Sequence, residues 1–252
     1  EKGLNKTCDN GIDWKTNISY PLLTWTDGMS IHQTNIDQPI KNRKVKLHPL
    51  HNSDQVIDIL DDNLSEGGCA CVILNTIKSA QMYYQLIKEA FPDAQVLLYH
   101  SQFTMEHRLE KEKILLERMG KQSLDYDADI LITQLCPMDL LLQRIGRLHR
   151  HNRNDIKHHY SRPKKLQEAH CYVLLDSTDE TSDIPYDSGS KRVYGDYLLM
   201  RTFNILTDEI SIPQDIPQLV QRVYNTDDGC GLTNNSHYSD AITEFNTKIS
   251  KK

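Results

Sequence analysis

No stretch of this 252-residue chain is apolar for long enough to cross a bilayer; its apolar runs have the length of single strands, as in "CVIL" at 71–74. The six cysteines (Cys8, Cys69, Cys71, Cys136, Cys171 and Cys230) include no C-x-x-C pair, so the usual zinc and dithiol spacings are missing. Most of them sit inside apolar runs, where a free thiol behaves as a small hydrophobe, and a reduced, cytoplasmic protein is expected. The chain also lacks a G-x-x-x-x-G-K-[ST] loop, its sole Gly-Lys pair being Gly120-Lys121, and it has no DExH box. A chain without either is not expected to hydrolyse a nucleoside triphosphate alone. Histidines crowd into "HRHNRNDIKHHY" at 149–160, but no cysteine or carboxylate falls at a ligand spacing beside them, and no metal site is assigned.

A net charge of -6 argues against a wholly electrostatic nucleic-acid binder. The charge is unevenly spread. From Leu141 to Lys165 there are eight basic residues against one acid, Asp155, which predicts a local basic patch that includes Arg153, Arg162 and Lys165.

Four near-continuous apolar runs predict buried parallel strands: "CACVILN" (69–75), "AQVLLYH" (94–100), "ADILITQL" (128–135) and "HCYVLLD" (170–176). Helical periodicity lies between them. Ala80, Tyr83, Tyr84, Ile87 and Phe91 form one stripe, and Met105, Leu109, Leu116 and Met119 form another that stops at Gly120. The alternation predicts an α/β fold with a doubly wound, mostly parallel sheet and helices on both faces. Residues 1–46 hold a strand-like "YPLLTW" and an Asp27-Gly28 turn, and are read as the exit from a preceding unit. Residues 47–176 are read as the α/β domain, and 177–252 as a linker followed by helical elements.

The segment "LLLQRIGRLHRHNR" (140–153) carries Arg144, Arg147, Arg150 and Arg153 three residues apart. If 140–151 is a helix, Gln143, Arg147 and Arg150 fall within about 60° of one another, opposite Leu141, Ile145 and Leu148. Arg144 sits on the flank. Two guanidinium forks on one docked helix suit a multi-oxygen anion such as a γ-phosphate, or equally a nucleic-acid backbone.

"QRIGRLHR" resembles motif VI of superfamily 2 helicases, and "PMDLLLQRIGRLHRH" is most similar to the helicase-nuclease of type I CRISPR interference. "YPLLTW", "CVILNTIKSAQ", "LLYHSQFTMEHRLEKE", "QSLDYDADILITQLCPMD" and "YDSGSKRVYGDYLLMRT" follow in that family's order. The resemblance implies the second RecA-like lobe of an ATP- and Mg²⁺-dependent DNA translocase used in antiviral defence, with C-terminal helical linker elements. It makes Arg147 and Arg150 arginine fingers, places Gln143 at the γ-phosphate or its attacking water, and assigns Asp125 and Arg144 to nucleotide binding. Asn75 and Thr76 match motif IV, and with His100, Ser101 and Arg108 they would face single-stranded DNA. The implied partners are that DNA, an RNA-guided surveillance complex, and the first RecA-like lobe and nuclease domain of the same protein. The family carries a further strand between the helix ending near Gly120 and "QSLD", so some 15 to 20 residues are expected to be missing near 121/122, as βαβ spacing also requires. The rival readings are another superfamily 2 helicase acting on RNA or DNA, and a non-catalytic binding module that keeps the fold.

Overall fold

The computed structural model describes residues 19–36, 42–119, 127–151, 161–175, 185–225, 230–232 and 235–250. A hairpin comes first: β1 (Leu22–Thr26) and β2 (Ile31–Asn35) pair antiparallel around a turn in which Asp27 Oδ1 accepts from Met29 and Ser30 N–H. The main sheet contains β3 (Arg43–Leu50), β4 (Ala70–Ile73), β5 (Ile130–Gln134), β6 (Ala169–Leu174) and β7 (Glu209–Ile212), in the order β4-β5-β6-β3-β7. All neighbours are parallel except β7, which runs antiparallel at the edge.

The period of two along these strands sorts their side chains onto two faces. Ile130, Ile132, Tyr172 and Leu174 face α1 (Ser53–Leu64) and α2 (Ile77–Ala90), which contribute Val56, Leu60 and Tyr83. Leu131, Cys171, Val173, Val45 and Leu47 face α4 (Met138–Ile145), α6 (Asp196–Asn204), α7 (Ile216–Tyr224) and α8 (Ser236–Ser250). Burial pushes the Cys136 thiol up to about 11, so this core cysteine is an inert hydrophobe, as its apolar setting predicts.

Four expectations change. The boundary at residue 46 cuts through β3, because that strand is polar on one face (Lys44, Lys46, His48) and does not read as an apolar run. The C-terminal region is no separate unit: β7 joins the sheet, and α6, α7 and α8 share a core with β3, β5 and β6. The run 94–100 forms no ladder. A strand exists only through its partner, and β4, at the end of the sheet, pairs with β5 alone among the described residues. The helix that follows, α3 (Met105–Met119), leaves Met105 and Leu109 exposed, so that stripe does not face a core at these positions.

Candidate nucleotide and nucleic-acid sites

Helix α4 stops at Ile145, six residues before the expected 151. Leu148 makes a parallel bridge to Ala128, just ahead of β5, and His149 takes a left-handed φ of 49°. The Arg147 carbonyl accepts from Ala128 N–H (2.9 Å), and His149 N–H donates to the Ala128 carbonyl (3.0 Å). These pairings replace the helical ones, so the shared helix face of Gln143, Arg147 and Arg150 does not exist. Gln143 and Arg150 nevertheless share a groove. Both line a groove of about 820 Å³ bordered by Arg43, Asp139, His149 and Ile216. Arg147, half-buried on the intervening turn, is not among its lining residues.

The groove opens at the amino end of β3, whose first residue is Arg43. Arg43 Nη2 donates to the Ile145 carbonyl (3.2 Å), but its Nε is buried with no hydrogen-bond partner among the described residues. Burial lowers the Arg43 pKa, and the nearby cations Arg162 and Arg150 add to that against the pull of Asp127. An anion entering here would find a cation already deprived of water and an unused donor.

Burial also holds His149 down to about 4, with Arg162 adding to the effect. The depressed value means that the unfolded chain takes up this proton first as pH falls. The stability from neutral His149 is therefore present above the ordinary value of 6.5 and is lost between about 6.5 and about 4. His149→Asn, which tolerates the left-handed backbone, should flatten the slope of unfolding midpoint against pH in that window. An unchanged slope would assign the pH dependence elsewhere.

Among the described residues, two members of the expected basic patch leave the surface: Arg162 is buried and Arg144 turns inward, while Lys165 stays exposed with its Nζ donating to the Asp62 carbonyl (2.8 Å). Arg153 and Lys157 lie outside the described residues, as does Asp125.

Arg144 and Asn75, assigned to different ligands by the resemblance, bind each other. Arg144 Nη2 donates to Asn75 Oδ1 (3.0 Å) and the Tyr194 hydroxyl (3.3 Å), while Nη1 donates to Thr133 Oγ1 (2.7 Å) and the Gln134 carbonyl (3.2 Å). Asn75 Nδ2 donates to the Leu135 carbonyl (2.7 Å) and Ser190 Oγ (2.8 Å), and its backbone N–H to Gln134 Oε1 (2.8 Å). Thr76 Oγ1 caps α2 by accepting from Ser79 N–H (3.1 Å). A Cβ on Gly189 would come within 2.9 Å of Thr76 Cγ2, so the glycine lets α5 (Ser188–Tyr194) approach this closely. The Asn75 and Thr76 side chains are thus engaged in joining β4, β5, α4 and α5. Asn75→Ala should lower stability by roughly 2 kcal/mol, as expected for losing bonds to a charged partner. Single-strand affinity, measured where the variant is folded, should stay within about threefold. A selective loss of affinity without loss of stability would restore a direct contact.

The remaining candidates cluster on the surface. His100 stacks on Phe103 with centroids 4.0 Å apart, and Lys111 Nζ lies 4.6 Å from the Phe103 centroid. Arg108 Nε donates to the Tyr99 hydroxyl (3.2 Å), which donates to Glu112 Oε1 (2.6 Å). Ser101 is exposed on the turn between them. Tyr99, Phe103 and Lys111 were not singled out by the sequence, although an aromatic followed eight residues later by a lysine across a turn is the available signal.

Residues 66–153 match the family model described as CRISPR-associated nuclease/helicase Cas3, C-terminal. The CRISPR-associated nuclease/helicase Cas3 of Streptococcus thermophilus is 39% identical over 96% of this chain. The chain carries a Cas3-like C-terminal domain. It spans 28% of the length of that relative. Their alignment runs over 270 residues, more than the 252 of the chain, so the Cas3 relative holds residues that this chain lacks. The 121/122 junction itself lies outside the described residues. The crystal structure of T. fusca Cas3 with ADP superposes with a TM-score of 0.76 at 26% identity, covering 93% of this chain and 30% of that one. A chain from a structure described as a CRISPR RNA-guided surveillance complex, pre-nicking, shares the fold at a TM-score of 0.74 and 24% identity, over 93% of this chain and 31% of its own.

The Cas3 family match encloses Asn75, the Tyr99–Lys111 cluster, Gln143 and Arg150, whereas Arg43, Arg162 and Arg201 lie outside it. Sequence reasoning gave those three arginines no role in a site. For Arg162 a signal exists: Asp127 and Asp129 alternate directly ahead of the wholly buried strand β5, and two carboxylates there need a buried cation. No helix among the described residues is long and apolar enough to cross a membrane.

Proposed function

We propose that this chain is the second RecA-like half of an ATP-dependent superfamily 2 DNA helicase that acts with a nuclease domain in CRISPR interference. The observation that carries this reading is the groove lined by Gln143, Arg150 and Arg43, the last with a buried Nε that has no hydrogen-bond partner among the described residues. ATP with Mg²⁺, held mainly by a first lobe, supplies the phosphoanhydride whose cleavage drives the cycle. Arg150 stabilises the charge that develops on the transferred phosphoryl group. Gln143, from the last turn of α4, orients the attacking water. Arg43 adds a second cation and gains an acceptor for its Nε. Opening and closing of this lobe against the first then moves the strand.

Single-stranded DNA would run over the Tyr99–Lys111 cluster, where Phe103 and His100 offer a stacking face and Arg108 and Lys111 offer charge. That combination is sequence-tolerant and salt-sensitive. An RNA-guided surveillance complex is the proposed source of the strand, by analogy with the complex that shares the fold.

The test uses the full-length protein. Hydrolysis of ATP should be stimulated by single-stranded DNA, and DNA duplexes should be unwound in preference to RNA duplexes. The isolated chain should hydrolyse no ATP. Stimulation by RNA alone would favour a different helicase, and turnover by the isolated chain would overturn the division of labour between lobes.

A further inference from the structure

The segment bearing Arg150 is irregular backbone, and irregular backbone holds a side chain accurately only if something else fixes it. In this chain the fixing group is a buried charge cluster. Asp127 and Asp129 are 0% and 2% exposed, and Arg162 is 7% exposed. Arg162 Nη2 lies 2.9 Å from each oxygen of Asp127, and its Nε lies 2.9 Å from Asp129 Oδ1. The same Asp127 Oδ1 accepts the backbone N–H of Arg150 at 2.7 Å, while Arg162 Nη1 donates to the His151 carbonyl at 3.2 Å. One ion pair therefore grips the chain immediately before Arg150 Cα and one peptide beyond it. Asp129 anchors the pair to the sheet, its Oδ2 accepting from Cys69 N–H (2.9 Å) and its carbonyl oxygen meeting His149 Nε2 (3.1 Å).

We infer that Asp127 and Arg162 are positioning residues that set the angle at which Arg150 enters the groove, an inference that rests on the function proposed above. Two features favour positioning over mere stabilisation. A buried ion pair is a weak source of net stability, since desolvation consumes most of its attraction. Moreover, the pair spends two of its hydrogen bonds on the backbone around one side chain, Arg150, rather than on the core. Charge-assisted bonds of this kind are short and directional, which suits them to holding an angle.

In the full-length protein, kcat and KM for DNA-stimulated ATP hydrolysis would be measured for Arg150→Lys, Asp127→Asn, Asp127→Ala and the pair Arg150→Lys/Asp127→Asn. Ile132→Ala, a buried site in the other core, serves as a control for lost stability. Asp127→Asn leaves one oxygen for two competing donors and should lower kcat about tenfold, with KM for ATP within threefold; Asp127→Ala should lower it further. The control, at a comparable loss of unfolding midpoint, should keep kcat within about threefold. If Asp127 acts through Arg150, adding Asp127→Asn to Arg150→Lys should cost less than a further threefold, because neighbours in one network are not additive. Should Asp127→Ala fail to fold, Asp127→Asn and the double variant still decide. Full additivity, or wild-type kcat in Asp127→Asn, would overturn the inference while leaving the groove reading intact. Normal hydrolysis both in Arg150→Lys and in a separate variant, Arg150→Ala, would remove both, there being no finger to position.

Discussion

Arg150→Ala in the full-length protein is expected to lower DNA-stimulated ATP hydrolysis by about 10³-fold, the lower end of what removal of an arginine finger costs. KM for ATP should change little, since the proposed binding loop belongs to the other lobe, and single-strand affinity should stay within about threefold of wild type. The size of the effect follows from the setting. Arg43, its pKa lowered by burial, lines the same groove, whereas Arg150 is exposed there; closing of the two lobes around the nucleotide would exclude water and strengthen its pull on the phosphate. Arg147→Ala measured alongside separates two possibilities: an equal loss extends the finger role to both arginines, and unchanged hydrolysis confines it to Arg150. Normal turnover in Arg150→Ala would end the reading of this groove as a phosphate site.

The second large effect falls on a residue that does not line the groove. Arg201 is fully buried within α6 and its guanidinium gathers the end of α7: Nε donates to the Val223 carbonyl (2.7 Å), and Nη2 to the carbonyls of Arg222 and Asn225 (2.6 Å each). Nη1 donates to the Tyr238 hydroxyl of α8, and the Tyr197 ring lies 5.2 Å from the guanidinium carbon. A cation at a helix C-terminus meets the negative end of the dipole and the carbonyls that the helix leaves unbonded. Arg201→Met keeps the volume but strands those carbonyls in the core, which should cost about 3 to 5 kcal/mol, the range for breaking a buried charged network. Denaturant unfolding of the full-length protein, with limited proteolysis between α6 and α8, reads this out. Arg201→Lys, which presents a single nitrogen, should recover only part of the loss. A midpoint unchanged in Arg201→Met would show that α6, α7 and α8 do not depend on this cap.

The same string that carries part of the family resemblance, "YGDYLLMRT", contains Arg201, yet the string offers no hint of why arginine stands there. Its acceptors are carbonyls 21 to 24 residues away and a hydroxyl 37 residues away, and backbone carbonyls carry no signature in a sequence. Arg162 is a similar case. Read along the chain it belongs to a run of positive charge; in the fold it is paired with Asp127, 35 residues earlier.

What the sequence determined by itself was local and periodic. Apolar runs marked β4, β5 and β6, because strands covered on both faces are apolar along most of their length. Motif spacing marked the Cas3-like region. Tertiary structure decided the rest. It recruited Arg43–Leu50 into the middle of the sheet despite its half-polar pattern, and withheld a ladder from 94–100, because a strand is defined by its partner rather than by its composition. It ended α4 at Ile145 by offering Leu148 a bridge and Arg150 a carboxylate, bringing Gln143 and Arg150 together by a turn where periodicity had implied a helix. Helical geometry is a property of neighbours in sequence; the position of this arginine is a property of a buried ion pair that the sequence keeps far apart and only folding assembles.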